Sequence, residues 1–277
     1  MTKTSLNELI KKHLIEYKRS VLKINKQGEW CGRPHEHILP KMNREMNIIK
    51  VGDIDPLMAF RNEIKFFVVP PLHSCFTHLT SSQALAFNLF GPFLIKDKFE
   101  CLEGLLGIPF GEVMNFAFEY SKKDLTKSQF DLYVECSSNL KIYFEVKYTE
   151  NTIATRSHSK NNKQRWQNMF KSHMEKVLKD STNAYELFYS QYQLWRNITA
   201  ITDENAYSVF VFLEDRTDLK KQIEDAIRKV KDEYASRIMI ISIDNICKLG
   251  QTIPELKVFY EEFYRKYLEY CGNCKLE

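Results

Sequence analysis

Apolar and polar residues alternate with a helical period in the first part of the chain. Apolar residues recur every three or four positions over residues 4–21, with lysines on the opposite side, which predicts an amphipathic helix. A turn-rich loop over 28–40 follows, and then a short extended segment over 63–69 that two prolines end. We expect two further helices, over 82–90 and 97–106, each stopped at the glycine that follows it.

After residue 109 the pattern changes to period two, which predicts β-strands. Three consecutive strands form an antiparallel meander over 113–120, 129–136 and 141–149. The remaining elements are helix-prone sequence over 161–198, a strand over 208–213, a helix over 218–235, a strand over 237–243 and a last helix over 254–270. Because strands joined through long helices run parallel, the predicted fold class is α/β. Its mixed central sheet has an antiparallel three-strand meander plus parallel strands and is flanked by helices.

The hairpin between the second and third predicted strands brings two carboxylates together. When paired positions sum to 276, Phe130 meets Val146 and the apolar residues of both strands share one face. A slip of one residue would set apolar residues against polar partners, which is costly wherever one face is buried. In this register Asp131 lies directly opposite Glu145 on the other face.

The paired carboxylates suggest metal chemistry. Two carboxylates about 5 Å apart repel each other unless a cation lies between them or one is protonated. Their oxygens are ligands that Mg²⁺ or Mn²⁺ prefers. Lys147 projects from the same face as Glu145 and can reach a phosphate oxygen or an attacking water. A metal that activates water beside such a lysine is suited to phosphodiester hydrolysis. The alternative is an ordinary Glu145–Lys147 salt bridge on a solvated strand face.

An acidic residue on one strand, a turn, and a hydrophobic strand with Glu-x-Lys resemble the PD-(D/E)XK nuclease superfamily, which has the restriction-endonuclease-like fold. The resemblance is to a bacterial branch of that superfamily and covers about Arg33 to the C-terminus. The segments that carry it are His-Leu-Thr-Ser-Ser-Gln at 78–83, Phe-Asn-Leu-Phe-Gly-Pro at 87–92, Phe-Glu-Val-Lys-Tyr-Thr-Glu at 144–150, Tyr-Gln-Leu-Trp-Arg-Asn at 192–197 and Arg-Lys-Tyr-Leu at 265–268. The superfamily's second-strand aspartate usually follows a proline, whereas Phe130 stands here.

The resemblance implies roles for individual residues. Asp131, Glu145 and the backbone carbonyl of Val146 would bind the metal, and Asp131, Glu145 and Lys147 would form the catalytic set. Many members of the superfamily add a helix glutamate. The candidates for an additional acid are Glu103, Glu100 and Glu150, and no motif singles one out.

Two further groups of polar residues are candidates for supporting the active site or contacting phosphate. Gln193, Arg196 and Asn197 lie three or four residues apart on a predicted helix, and a guanidinium suits bidentate phosphate contact. This cluster could equally be a helix surface or a buried hydrogen-bonding network. Ser82 and Gln83 begin a helix whose free N–H groups could hold a phosphate, although a simple N-cap explains them as well.

The charge distribution suggests nucleic acid. Residues 1–50 hold 11 Lys or Arg against 5 Asp or Glu, so the formal charge of this segment is +6. Because the whole chain has a net charge of +4, the remaining residues sum to −2. A second basic run over 156–179 holds seven Lys or Arg and one acid. Extended basic surfaces favour DNA as the partner, although solvated faces are the commoner explanation of such runs. The candidate backbone contacts are Arg156, Lys160, Lys163, Arg165 and Lys171.

Other features exclude some classes of protein. No window approaches the roughly 18 apolar residues that cross a bilayer, so we expect no membrane partner. The N-terminal segment does not resemble a signal peptide, and an odd number of scattered cysteines suits reduced thiols, so we expect a cytoplasmic protein. The sequence leaves the roles of the His35/His37 and Cys271/Cys274 pairs open.

The sequence therefore predicts two regions: an N-terminal basic helix and loop extension over 1–75, and a nuclease-like α/β core over 76–277. The predicted function is Mg²⁺- or Mn²⁺-dependent phosphodiester hydrolysis of DNA, as an endonuclease in restriction, repair or anti-phage defence. The alternative is a catalytically inactive nucleic-acid-binding module of the same fold. A homodimer or a partner protein remains open. DNA versus RNA, strandedness and sequence preference are not specified.

Overall fold

The computed structural model describes residues 5–58, 72–121, 129–150 and 160–271, and the predicted extended segment over 63–69 lies outside this part of the chain. The chain forms two compact units. Residues 1–102 and 243–277 form the first unit, and residues 103–242 form the second. This division differs from the predicted boundary after residue 75. Whether residues 76–277 fold by themselves stays a prediction.

The second unit is built on a five-stranded sheet in the order β3-β4-β5-β6-β7. Its strands are β3 (Val113–Ser121), β4 (Gln129–Cys136), β5 (Lys141–Val146), β6 (Ala206–Phe212) and β7 (Ile238–Ser242). The pairs β3–β4 and β4–β5 are antiparallel, whereas β5–β6 and β6–β7 are parallel. The predicted mixed α/β sheet is therefore confirmed.

Helices cover this sheet because their apolar faces need burial. They are α3 (Glu103–Leu106), α4 (Lys160–Arg165), α5 (Lys171–Val177), α6 (Ala184–Ser190), α7 (Tyr192–Thr199), α8 (Thr217–Ile227) and α9 (Asp232–Ala235), with a π-helical turn at Trp166–Phe170 between α4 and α5. One core cluster of this unit packs Phe188, Trp195 and other apolar side chains of the helices against Phe210 and Phe212 of β6. The crossover helices thus pack on the sheet through apolar side chains.

The first unit combines both ends of the described chain. Its regular elements are α1 (Leu6–Ser20), β1 (Gly28–Trp30), β2 (Arg33–His35), α2 (Ser82–Ile95), α10 (Ile243–Thr252) and α11 (Lys257–Tyr267). Ser5 caps α1 through a capping box with Glu8. Helix α10 contacts both α11 and α2. At that contact Gly250 lies against the ring of Tyr260, leaving no room for a Cβ atom.

Two helices differ from the sequence-based expectation. Helix α2 does not stop at Gly91-Pro92 but continues to Ile95, although Pro92 cannot donate the usual backbone hydrogen bond. Every residue from Gln83 to Phe93 is buried, and this burial outweighs the lost bond. Helix α10 was not predicted: the expected strand ends at residue 243, the expected last helix begins at 254, and no element was assigned between them. Its buried residues recur at helical spacing, but they follow directly on an apolar strand that masks the change of period.

Other findings concern bilayers and thiols. Within the described ranges, no helix is both long enough and apolar enough to cross a membrane.

All five cysteines whose thiols the structure describes are free, and they are Cys31, Cys75, Cys101, Cys136 and Cys247. The thiols of the Cys271/Cys274 pair lie outside this description.

Lys266 on α11 gives the first unit a pH-dependent stability. Its side chain is fully buried, donates to the carbonyl oxygen of Asn47 at 2.5 Å and lies 4.9 Å from the Tyr267 ring centroid. Burial lowers the pKa of this amine to about 7, opposed by the charge of Glu262. Between that value and the usual pKa near 10.4, the unfolded chain binds a proton that the folded chain does not. Folding stability therefore rises with pH across this window.

We expect Lys266→Met to remove this contribution. The free energy of unfolding of the wild type, relative to the variant, should rise by at most about 1.4 kcal/mol per pH unit between pH 7 and 10. Urea unfolding at several pH values measures this difference. Lys257→Met, on the exposed side of the same helix, is the control and should leave the pH slope unchanged. Equal slopes for wild type and Lys266→Met would contradict the assignment.

Candidate active site

The candidate site lies within the second unit, where β4 and β5 meet α7. The observed β4–β5 register pairs Leu132 with Phe144 and Val134 with Ile142, so positions sum to 276 as predicted. Asp131 immediately precedes the paired residues of β4, and its Oδ2 accepts a hydrogen bond from the backbone N–H of Val146 at 2.7 Å. The carboxyl of Asp131 is thus held against the strand that carries Glu145.

The face opposite the main core differs from the predicted solvated one. Phe130 does not share the face of Leu132; its ring centroid lies 4.7 Å from that of Tyr143. Phe130, Tyr133 and Tyr143 form a small buried cluster with Ala200 and Ala206. The predicted pairing of Phe130 with Val146 is therefore wrong.

The alternation fails here because the neighbouring strand is irregular. Glu119 lies between the β3 residues that pair with Phe130 and Leu132, and it has φ = 52°. A left-handed residue of this kind interrupts the regular pleat of a strand. Glu119 therefore lies opposite Asp131, so the irregular residue of β3 occurs at the position of the sheet where the polar residues gather.

Glu145 is the centre of a buried ion-pair cluster. Its Oε1 lies 2.8 Å from Lys147 Nζ, and its Oε2 lies 3.2 Å from a terminal nitrogen of Arg196. The three residues are only 4–7% exposed. Burial alone would raise the pKa of Glu145, but the charges of Lys147 and Arg196 outweigh it and hold this pKa below its usual value. The Glu145 side chain is therefore an anion, and the predicted alternative of a solvated strand face does not apply.

Asp131 and Lys147 respond differently to the same surroundings. Burial, followed by the negative charges of Glu145 and Glu119, raises the pKa of Asp131 well above its usual value. Burial would lower the pKa of the Lys147 amine, but Glu145 and the other carboxylates nearby raise it. The cluster thus holds a charged lysine beside a carboxyl whose pKa is raised by burial and by two neighbouring carboxylates.

Helix α7 supplies the side chains that surround Lys147 and Glu145. Lys147 Nζ donates to Gln193 Oε1 at 3.0 Å, and Arg196 Nε donates to Asn197 Oδ1 at 3.0 Å. Gln193 and Arg196 are three residues apart and therefore lie on the same side of the helix. The structure brings together all three residues of this helix that the sequence indicated, in a network where Arg196 and Asn197 are buried and Gln193 is half-buried.

The segment after Lys147 is fixed by a second charged group. The carboxylate of Glu150 accepts from the backbone N–H of Tyr148 at 2.8 Å. Arg216, which is 5% exposed, donates to the backbone carbonyl of Glu150 at 2.7 Å and forms a two-pronged ion pair with Asp218. Sequence reasoning missed Arg216, and the only signal for it was its position a few residues beyond the end of a buried strand.

Other candidate acids lie elsewhere. Glu103 caps a loop, with Oε1 accepting from the backbone N–H groups of Phe110 and Gly111 at 2.8 and 2.9 Å. The charge of Glu103 contributes to raising the pKa of Cys136, which lies at the opposite end of β4 from Asp131. The structure therefore does not bring Glu103 to the site. Glu100 is an exposed residue of the first unit. Glu119 is instead the third acid near Asp131, and pairing β3 with β4 by the same register argument would have found it.

Ser82 and Gln83 belong to the start of α2 in the first unit. Ser81, not Ser82, is the N-cap and accepts from the N–H of Ala84. Gln83 is buried, and its Oε1 accepts from the backbone N–H of His73 at 2.9 Å. Both residues thus belong to the first turn of a helix, and a contact of either one with phosphate stays a prediction.

The second basic run is partly described. Arg156 lies outside the described residues, and the side chain of Lys160 is not described. Lys163 is exposed on α4, Arg165 is half-buried, and Lys171 lies 3.7 Å from Glu175 in an i,i+4 ion pair. Contacts of these residues with a nucleic-acid backbone stay predictions.

The donor set of this site fits a hard divalent cation. Asp131 and Glu145 offer carboxylate oxygens, and Val146, whose N–H contacts Asp131, also has a backbone carbonyl. In the part of the chain that the structure describes, no three His, Cys, Asp or Glu side chains are arranged to hold a metal ion. Mg²⁺ commonly uses one or two carboxylates and keeps several waters, so this donor set is sufficient.

The sheet order and the strand-borne acidic residues together define a restriction-endonuclease-like protein. The comparison with protein families agrees with this class. The model of the family REase-ARP, described as restriction endonuclease associating with ARP, matches residues 25–268. The chain therefore belongs to this family. A search of curated proteins gave no match, and a search of solved structures gave none either.

Proposed function

We propose that this protein is a metal-dependent nuclease that hydrolyses phosphodiester bonds of DNA in the cytoplasm. The observation that carries the proposal is the buried cluster in which Lys147 Nζ lies 2.8 Å from Glu145 while Asp131 is held against the same strand. Burying these charges costs desolvation free energy, and a sheet does not need such a cluster for stability, because replacing buried charges by apolar residues is often neutral or stabilising. Its retention is explained if the charges act on a substrate.

Each residue of the cluster has a proposed task. Asp131, Glu145 and the carbonyl of Val146 would hold Mg²⁺ or Mn²⁺, which when bound supplies a Lewis acid for the phosphate. Lys147 places its ammonium where it can orient the attacking water and balance the charge that develops on the phosphoryl oxygens. Gln193 restrains Lys147 through its 3.0 Å hydrogen bond. Arg196 holds Glu145 on its other oxygen and so fixes the carboxylate orientation.

Plasmid cleavage by the purified chain with Mg²⁺, with Mn²⁺ and with EDTA tests the proposal. We expect nicked or linear DNA only with a metal ion, and Asp131→Asn to lower the rate by about 10²-fold or more, because it removes a charged ligand. Glu135→Gln on the same strand, at the far end of the β4–β5 ladder, is the matched control and should cut normally. Failure of the wild type to cut plasmid, single-stranded DNA or RNA with either ion would remove the proposal.

A second candidate function is a catalytically inactive nucleic-acid-binding module. One observation favours it: both oxygens of Glu145 already have cationic partners, Lys147 and Arg196. In that case the charge of Glu145 would be balanced by these two side chains alone, and metal ions would have little effect on nucleic-acid binding. Titration calorimetry with Mn²⁺ distinguishes the two, since the nuclease binds the ion through Asp131 and the inactive module gives the same heat for wild type and Asp131→Asn.

The description of the family names an association with ARP, and on this ground the proposal includes a partner protein. A homodimer is the other assembly that the proposal allows. Sedimentation of the purified chain, alone and during DNA cleavage, measures its oligomeric state. Full cleavage activity from a monomer would show that neither partner is needed for the reaction.

A further inference from the structure

The first unit contains a pocket that the proposed reaction does not use. Its volume is about 550 Å³, within the usual range for sites that hold small molecules. The walls come from β1 and the two residues before it, from residues 39–44, and from residues 72–77. All of these residues belong to the first unit, whereas the candidate active site belongs to the second.

Buried polar contacts hold these walls in place. Lys18, which is 1% exposed, donates to three backbone carbonyls, those of Lys26, Glu36 and Ile38, at 2.6–3.2 Å. The backbone N–H of Leu39 donates to the carbonyl of Thr77 at 2.8 Å, which joins the second wall to the third. Gln83 fixes the third wall through the N–H of His73. The pocket is therefore formed without a ligand.

The lining combines cations with an aromatic ring. Lys26, Lys41 and Arg44 contribute three positive charges against one acid, Glu29. Among the residues that the structure describes, none of these three cations forms a salt bridge. Trp30 lines the same pocket and is 36% exposed. An unpaired cationic group beside an accessible indole suits a ligand that is both anionic and planar.

We propose that this pocket binds a nucleotide, with the base against Trp30 and the phosphate at Lys41 and Arg44. Indole faces stack on every base, and a guanidinium matches a phosphate with two parallel hydrogen bonds. The nucleotide could be an unpaired residue of a DNA strand or a free mononucleotide. The first source rests on the proposed function, since it makes the pocket part of the DNA-binding surface.

Calorimetric titration in EDTA, which prevents cleavage, tests the proposal with dAMP and with a short single-stranded DNA oligonucleotide. We expect binding of the oligonucleotide, and heat with dAMP as well if free nucleotides are a source. Tryptophan fluorescence should change on binding, and Trp30 is its origin because Trp166 and Trp195 are only 4% and 0% exposed. If neither dAMP nor the oligonucleotide binds, the proposal is overturned.

Two variants test the two halves of the pocket. Trp30→Ala should weaken binding roughly 5- to 150-fold, the range that one stacked base supplies. Lys41→Glu combined with Arg44→Glu should weaken it further and reduce its salt dependence. Lys220→Glu combined with Lys221→Glu makes the same charge change on exposed residues of α8 and is the control. Affinities equal to this control would exclude the pocket.

The binding and cleavage assays distinguish failure of the pocket proposal from failure of the nuclease proposal. If the wild type binds the probes through Trp30 but never cuts DNA, the nuclease proposal fails and the pocket stands. If the protein cuts DNA and the Trp30 and Lys41/Arg44 variants bind and cut as the control does, the pocket fails and the nuclease proposal stands. Both assays use the full chain.

Discussion

Lys147→Met is expected to lower DNA cleavage by about 10²- to 10⁴-fold while the protein stays folded, the range in which positioned proton-transfer and charge-stabilising groups act. Methionine has nearly the length of lysine and fills the same buried space between Glu145 and Gln193. Glu145 keeps Arg196 as its ion-pair partner, so no buried charge is left alone. The measurement is the single-turnover rate of plasmid nicking at saturating metal ion.

Lys141→Met is the matched control for this variant. Lys141 lies on the same strand and faces Glu135 across the β4–β5 ladder, as an acid and lysine pair outside the site. We expect its cleavage rate to stay within a factor of about two, because this half-buried pair lies at the far end of the ladder from Asp131. Circular dichroism and oligonucleotide affinity should be the same for both variants. Equal cleavage rates for Lys147→Met and Lys141→Met would show that the ammonium has no part in the reaction.

Gly250→Ala is expected to destabilise the first unit by roughly 1–3 kcal/mol or more, which is typical of overpacking a core. A Cβ atom at this position would overlap ring carbons of Tyr260, which is fully buried. The ring cannot move away easily, because its hydroxyl donates to the carbonyl of Leu89 on α2 at 2.5 Å. The substitution must therefore push α10 and α11 apart.

Thermal and urea unfolding measure this effect. Gly104→Ala is the control, because the Cβ atom meets no other group within 4 Å there. We expect that variant to be neutral or slightly more stable, since alanine restricts the unfolded chain. Combining Gly250→Ala with Tyr260→Leu should recover part of the loss, because it removes the overlapping ring. A melting temperature for Gly250→Ala equal to that of Gly104→Ala would contradict the close packing.

The sheet and its register were predictable because two independent patterns agree. Period-two alternation located β4 and β5, and only one register buries Leu132 and Val134 against apolar partners. The parallel strands followed from their long helical connections. The same reasoning failed at Phe130, because alternation assumes a regular pleat and the left-handed backbone of Glu119 interrupts it.

The candidate site was predictable only in part. Asp131, Glu145 and Lys147 are neighbours along two strands, so local periodicity places them on one side. Spacing on α7 indicated that Gln193 and Arg196 share a side of the helix, but it could not show that this side faces Glu145. Glu103 was one of three candidates for an additional acid, yet its Oε1 accepts hydrogen bonds from the loop at Phe110 and Gly111. Long-range packing, which no local pattern encodes, decides such contacts.

The first unit takes its helices from both sides of the second unit in the sequence. Residues 103–242 are complete in the chain before α10 and α11 begin. During synthesis the sheet can therefore form on the ribosome while α2 still lacks the helices that cover it. The nascent protein thus has a period in which one apolar helix is exposed to chaperones, and a premature stop before residue 243 would leave a product with its sheet encoded but its first unit unfinished.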